Sequence, residues 1–187
     1  LSESSSRSRH TDLTLHGTAR LIGLTPVESW FHFRTGHPTD TFTVRATIGE
    51  LDLTAINPML SKLVPLAIKR GTATSTEIIQ LNGNSTRAIG RLDFRFNNLG
   101  IDLLPVKPET LTPAEQVLLE KVFNLLLADS NPNADGKLKP GVIYFERDPS
   151  KGFFNFLWKS VFSGLKSTLG FNSKAQKEIL KAEKARK

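Results

Sequence analysis

From Leu13 onward, apolar and polar residues alternate, with Leu13, Leu15, Ala19 and Leu21 on one side and Thr14, His16, Thr18 and Arg20 on the other. A period of two predicts a strand with one wet face. The run "VESWFHF" predicts a second strand. "TFTVRATI" predicts a third, with Phe42, Val44, Ala46 and Ile48 pointing one way and Thr43, Arg45 and Thr47 the other. At "GELDL" the apolar positions move from even to odd numbers, which a β-bulge or bend at Gly49 and Glu50 would produce. In "INPMLSKLV", Asn57 is placed to cap a short helical turn with Pro58 at its first position, and Pro65 stops it.

"TATSTEIIQLNGNSTRAIGRLDFRF" reads as a hairpin, because Asn82-Gly83 supplies the positive φ angles of a tight turn. Its return strand is expected to run from about residue 87 to 104, beyond the roughly 3–10 residues of most strands, with Ala88, Gly90, Leu92, Phe94 and Phe96 on one face. A phase switch follows at Asn97-Asn98. Thr112, Pro113 and Glu115 predict a helix over about 113–128. "GVIYFER" predicts a short strand, Asp148-Pro149 is read as starting a helix that ends at Gly170, and Ser173 with Gln176 forms a capping box for a last basic helix. The order of elements predicts an α+β fold: an elongated, curved antiparallel β-sheet of groove type, followed by C-terminal amphipathic helices. Residues 1–10 read as a flexible linker, 11–171 as the α+β domain and 172–187 as a basic C-terminal helix or tail.

The most apolar stretch is "FFNFLWKSVFSGLKSTLGF". At 100° per residue, Phe154, Leu157, Trp158, Val161, Phe162, Leu165 and Leu169 form one stripe, with Asn155, Lys159, Ser163 and Lys166 opposite. The stripe is expected to cover the open face of the sheet. Phe153 and Phe156 fall away from it, on the side that water would otherwise claim, and so are expected to offer a second apolar contact. Lys159, Ser163 and Lys166 interrupt the run, which is too short for the roughly 18–20 apolar residues of a spanning helix.

Charge sharpens this picture. The chain carries a net +7, and nine basic against two acidic residues follow residue 150, so the first 150 are balanced. A localised positive end beside an aromatic amphipathic stretch suits an anionic membrane surface or an acidic partner. Nucleic acid is not expected as a partner, because the basic tail has almost no aromatics to stack on bases. The segment "LSESSSRSRH", polar and without an initiator Met, is expected of a piece cut from a longer protein.

Candidate chemistry is sparse. The absence of cysteine removes disulfides, thiolate metal sites and Cys nucleophiles. "NPNADGKLKPGV" places Asn131, Asn133, Asp135 and Gly136 like the start of a calcium loop, but the twelfth position, where a bidentate Glu is needed, is Val142; a plain turn is expected. The four histidines form no HExxH pattern, and no GxSxG, phosphate-loop or dinucleotide fingerprint occurs. No catalytic residue, metal site or cofactor is predicted, and the chain is expected not to be an enzyme.

The phrases "GELDLTAINPMLSKLVPLAIKRGTATS", "GRLDFRFNNLGIDLL" and "VIYFERDPSKGFFNFLWKSVFSGLKSTLG" resemble the C-terminal region of AsmA-like proteins of Gram-negative envelopes, over roughly residues 40 to 170. The resemblance implies the periplasmic, terminal part of an inner-membrane-anchored β-groove protein linked to phospholipid transfer and outer-membrane homeostasis. On that expectation Phe42, Val44, Leu92, Phe94 and Phe96 line or end a lipid groove. Phe153, Phe156, Trp158, Lys159, Phe162, Lys166 and Lys174 are the residues expected to contact a membrane. The partner is then a phospholipid or a membrane surface. The alternative is a structural or docking domain for an envelope protein, bound through a sheet edge or the C-terminal helices.

Overall fold

A computed structural model describes residues 11–36, 40–60, 66–74, 76–103 and 129–186. Within them the chain is α+β, with two antiparallel sheets, neither closed into a barrel, and two C-terminal helices. Strands β1 (Thr11–Leu21), β2 (Thr25–Thr35), β3 (Thr41–Ile48), β6 (Thr76–Asn84), β7 (Arg87–Leu92) and β9 (Gly141–Glu146) form the larger sheet, in the order β1-β2-β3-β6-β7-β9. Strands β4 (Leu51–Asp52), β5 (Leu66–Ala73) and β8 (Phe96–Leu103) form the smaller, in the order β4-β5-β8. A 3-10 turn (Leu53–Ile56) and the short α1 (Asn57–Leu60) join β4 to β5, and α2 (Phe153–Thr168) and α3 (Lys174–Lys184) follow β9.

The α+β class is as expected; the antiparallel sheet is divided in two, and two of the four crossings between the sheets fall where one bent sheet was expected to continue. The first of these two lies between Ile48 and Leu51, where the parity of the apolar positions changes. Instead of a bulge, the strand ends: Gly49 N–H donates to the Pro26 carbonyl at 2.8 Å and the Thr25 hydroxyl donates to the Glu50 carbonyl at 2.9 Å. The register shift of β3 itself lies further back, between Val44 and Ala46. The second of these is Asp93–Arg95, which divides the expected long strand into β7 and β8. Asn98 has a φ of 53° and lies within β8, so the predicted phase switch is a local event in the second sheet and not a continuation of the first.

Other local expectations shift for identifiable reasons. Asn82-Gly83 is inside β6, not at its turn, and a Cβ on Gly83 would collide with the Phe42 ring. The turn is made one step later, where the Asn84 side chain accepts from the N–H groups of Thr86 and Arg87 at 2.9 Å each. Asn57 does not cap α1; its amide bridges to β5, donating to the Ile68 carbonyl and accepting from the Ile68 N–H, both at 2.8 Å. Gly152, not the Asp148-Pro149 pair, precedes α2, and Asp148 instead closes its own turn on Ser150. The Ser173–Gln176 capping box forms as expected. The proposed helix over 113–128 and the linker 1–10 lie outside the described residues.

Two apolar clusters hold the fold. The first joins Phe42, Val44, Leu81, Ala88, Leu92 and Ile143 of the larger sheet to Phe156 of α2. The second joins Leu51, Leu53, Ile68, Ala73, Phe96 and Leu99 around the smaller sheet. Phe94, in the crossing from β7 to β8, packs against both. A buried Asn131 ties this crossing down. Its side-chain amide donates to the carbonyls of Phe94 at 2.6 Å and Lys139 at 3.0 Å, and its backbone pairs with Phe96.

Candidate functional site

The face that α2 turns to the larger sheet is not the large apolar stripe. Its buried residues are Phe156, Ser160, Ser163, Gly164, Ser167 and Thr168, spaced by three and four. Small side chains let the two backbones approach: a Cβ on Gly164 would stand 2.7 Å from Ile143 Cγ1, and one on Gly141 would collide with the Gly164 carbonyl. The hydroxyls are satisfied as they are buried, as such groups must be. Ser160 donates back to the Phe156 carbonyl at 2.8 Å, and Ser163 donates to the Ser160 carbonyl at 2.7 Å while accepting from the Tyr144 N–H at 3.2 Å. Ser167 accepts from the Val142 N–H at 3.0 Å and donates to Asn172 at 2.6 Å. Gln176 of α3 donates to the carbonyls of Val142 and Ser163. The outer edge of β9 is thus closed by side chains of two helices.

Because the small-residue face is used for docking, only the flank of the large apolar stripe, Leu157, Val161 and Leu165, leans on the first cluster, and most of the stripe is left to line open space toward the smaller sheet. Between them lies a cavity of about 1030 Å³. Its helical wall is Trp158, Val161, Phe162, Leu165 and Leu169. Leu53, Ile68, Leu99 and Ile101 stand on the smaller sheet's side, and Leu21, Ile22 and Ile48 come from the hairpin end and β3. Its polar groups come mainly from α2 and the start of α3, with Lys166, Asn172, Ser173 and Gln176. The size matches or exceeds the usual ligand-cavity range of about 300–1,000 Å³, and predominantly apolar walls with few polar groups are the common pattern of such cavities.

Of the five residues expected to line a groove, only Phe94 reaches this cavity. Phe42, Val44 and Leu92 are packed inside the first cluster and Phe96 inside the second, so they are core and each is less than a tenth exposed. Among the residues expected at a membrane, Phe156 is 1% exposed and packs edge-on to Phe42 at 5.9 Å. Phe153 packs against Phe42 at 5.1 Å and Phe33 at 5.6 Å. Neither forms a free second face. The two aromatics lie on the sheet side because Phe156 continues the small-residue row by one helical turn.

Trp158 and Phe162 are stacked at 6.1 Å on the cavity side, and the Lys166 ammonium lies 5.3 Å from the Phe162 ring centroid. Lys159 sits 5.9 Å from the Phe145 ring, and Lys174 opens α3 on its exposed side. Phe154, one turn before Trp158, is 77% exposed. Phe154, Trp158, Phe162 and Lys166 therefore form one row at steps of four.

Val161, Leu165, Ile68, Leu99 and Ile101 were not singled out as site residues from sequence. The signal available was the second periodic row of α2, Ser160, Ser163, Gly164, Ser167 and Thr168, which marks a close-packing face and leaves the bulky one free.

Ionisable chemistry is peripheral. Burial lowers the Lys139 ammonium pKa. Hydrogen bonds from Thr54 lower the Asp52 carboxyl, and those from Ser150 lower Asp148. The stretch from Asn131, read as a plain turn and not a calcium loop, holds a turn in which Asn133 accepts from the Lys137 N–H at 2.9 Å. Among the described residues no group of three or more His, Cys, Asp or Glu side chains is placed to hold a metal, and no helix is long and apolar enough to cross a membrane. Comparison with family models, with curated proteins and with solved structures finds no match for the chain.

Proposed function

We propose that the chain is a non-enzymatic lipid-handling module that takes a phospholipid acyl chain into the cavity between α2 and the smaller sheet. The apolar lining of that cavity is the observation that carries this reading. In keeping with the AsmA-like resemblance, the module is the terminal part of a periplasmic β-groove protein that supports phospholipid transport and outer-membrane homeostasis. The exposed row beginning at Phe154 and Trp158, with Lys159, Lys166 and Lys174 near it, supports contact with an anionic bilayer surface. Aromatics enter the interface while lysines face the head groups.

The test is binding of a fluorescent fatty acid, together with mass spectrometry of lipid extracted from the purified chain. The intact chain is expected to bind the probe and to carry phospholipid. Val161→Trp, which adds bulk on the cavity wall, is expected to weaken probe binding at least tenfold. No binding by a folded intact chain overturns the reading.

A further inference from the structure

β1 is the terminal strand of the larger sheet, and among the described residues nothing pairs with its outer side. It runs for eleven residues, contains no proline and keeps an unbroken register with β2 from Thr11↔Thr35 to Leu21↔Thr25. Leu13 and Leu15 are 49% and 48% exposed. Natural sheets blunt such edges with proline, bulges, inward charges or a covering element. This sheet does so at β9, with Ser163, Ser167 and Gln176, and β1 has none of these devices among the described residues. An open, regular edge is a template for another strand.

We infer that β1 pairs antiparallel with β1 of a second copy of this chain, around a two-fold axis at His16. The residue pattern selects this occupant. When the strand Thr11–Leu21 is laid against itself over its full length, Asp12 falls opposite Arg20 of the second copy and Arg20 opposite Asp12. These two are the only Asp, Glu, Lys or Arg residues of β1. The same register sets Leu13 against Ala19 and Thr14 against Thr18, so apolar meets apolar on one face and polar meets polar on the other. Shifting by two residues shortens the overlap and separates both charge pairs. His16 meets its own copy at the axis, with each imidazole 2.8 Å from Glu28 of its own chain. The pairing is isologous and closes, so it gives a dimer with one sheet continuous through both copies, not a fibre. This inference does not rest on the lipid reading.

The test is sedimentation equilibrium of the intact chain with Asp12→Arg, Arg20→Asp and Leu15→Lys variants. The intact chain is expected to dimerise. Asp12→Arg and Arg20→Asp are each expected to weaken association at least tenfold, because each turns both charge pairs repulsive. Mixing the two variants is expected to restore it, since one copy then carries arginine at both positions and the other aspartate at both, so each pair is again of opposite sign. A misfolded variant cannot produce that restoration. Asp12 also approaches Arg34 of its own chain at 3.4 Å, an exposed pair whose loss costs the fold little. A monomeric intact chain, a dimer indifferent to all three substitutions, or a mixture that fails to associate overturns the inference. So does a stoichiometric strand from another protein that occupies this edge in place of the second copy.

Discussion

The two edges of the larger sheet are treated in opposite ways. At β9 the chain surrounds the edge: two serine hydroxyls accept its outward N–H groups and a buried glutamine amide donates to an outward carbonyl. At β1 the edge is bare among the described residues and both of its faces are largely in water. An edge whose backbone groups are bonded by side chains of the same molecule cannot recruit a strand, whereas one that meets only water exchanges water for a partner at little cost. The contrast assigns the helical end of the sheet to internal packing and the β1 end to association. It also explains why the bulky stripe of α2 remains free to line a cavity, since hydroxyls can reach strand amides only from a face of small residues.

The largest effect is expected from removing the anchor of the closed edge. Phe156→Ala deletes a ring buried among Phe42, Phe145 and the Arg147 guanidinium, and should cost about 3–5 kcal/mol in urea unfolding. An effect below about 1 kcal/mol would show that α2 is not fastened through this face.

Next comes the edge itself. Gln176→Ala leaves the buried carbonyls of Val142 and Ser163 without that donor and should cost about 1–3 kcal/mol. In hydrogen exchange, Ser167→Ala should speed loss of the Val142 amide proton, whose acceptor is removed, while amides of β3 keep their protection.

The open edge should respond in the opposite sense. Leu15→Lys is expected to change unfolding free energy by no more than about 0.5 kcal/mol, measured below the concentration at which the chain associates. A large loss there would mean that β1 contributes to the core and that the two edges differ less than their hydrogen bonds suggest.

The smallest effect concerns a turn at neither edge. Hydrogen bonds from the Thr54 N–H and hydroxyl hold the Asp52 carboxyl below the ordinary aspartate value. A pKa lowered on folding contributes stability above the unfolded value of about 3.9, and that stability is lost as pH falls through the folded one. Asp52→Ala should therefore flatten the acid limb of a pH–melting profile slightly and leave the slope near neutrality unchanged.

Much of the fold was legible from local pattern. β1 and β3 follow from period-two alternation, β2 and β9 from short runs rich in β-branched and aromatic residues, and the Ser173–Gln176 box from a spacing that satisfies two helix-end donors at once. The division into two sheets was not legible, because the parity change at Gly49 and the break at Asp93–Arg95 look the same in sequence whether a strand bends or leaves its sheet. Asn82-Gly83 misled for a related reason. Its glycine answers to the Phe42 ring of a neighbouring strand, a contact forty-one positions away in the chain.

The candidate site was half legible. The stripe of Trp158, Val161, Phe162, Leu165 and Leu169 was found, and its neighbourhood was misread. A bulky apolar row and a row of serines and glycine compete for the sheet, and area alone favours the bulky one. Tertiary structure decided for the small one, because β9 has outward N–H groups that only hydroxyls at close range can satisfy. The sequence by itself determined that β1, β2, β3 and β9 are strands, where the terminal helix is capped, and where the positive charge gathers, since each depends on neighbours within a few positions. Which face of α2 is buried, which aromatics are core and which line a cavity, and which sheet edge stays unpaired among the described residues depend on contacts between distant segments, and only the packed chain could decide them.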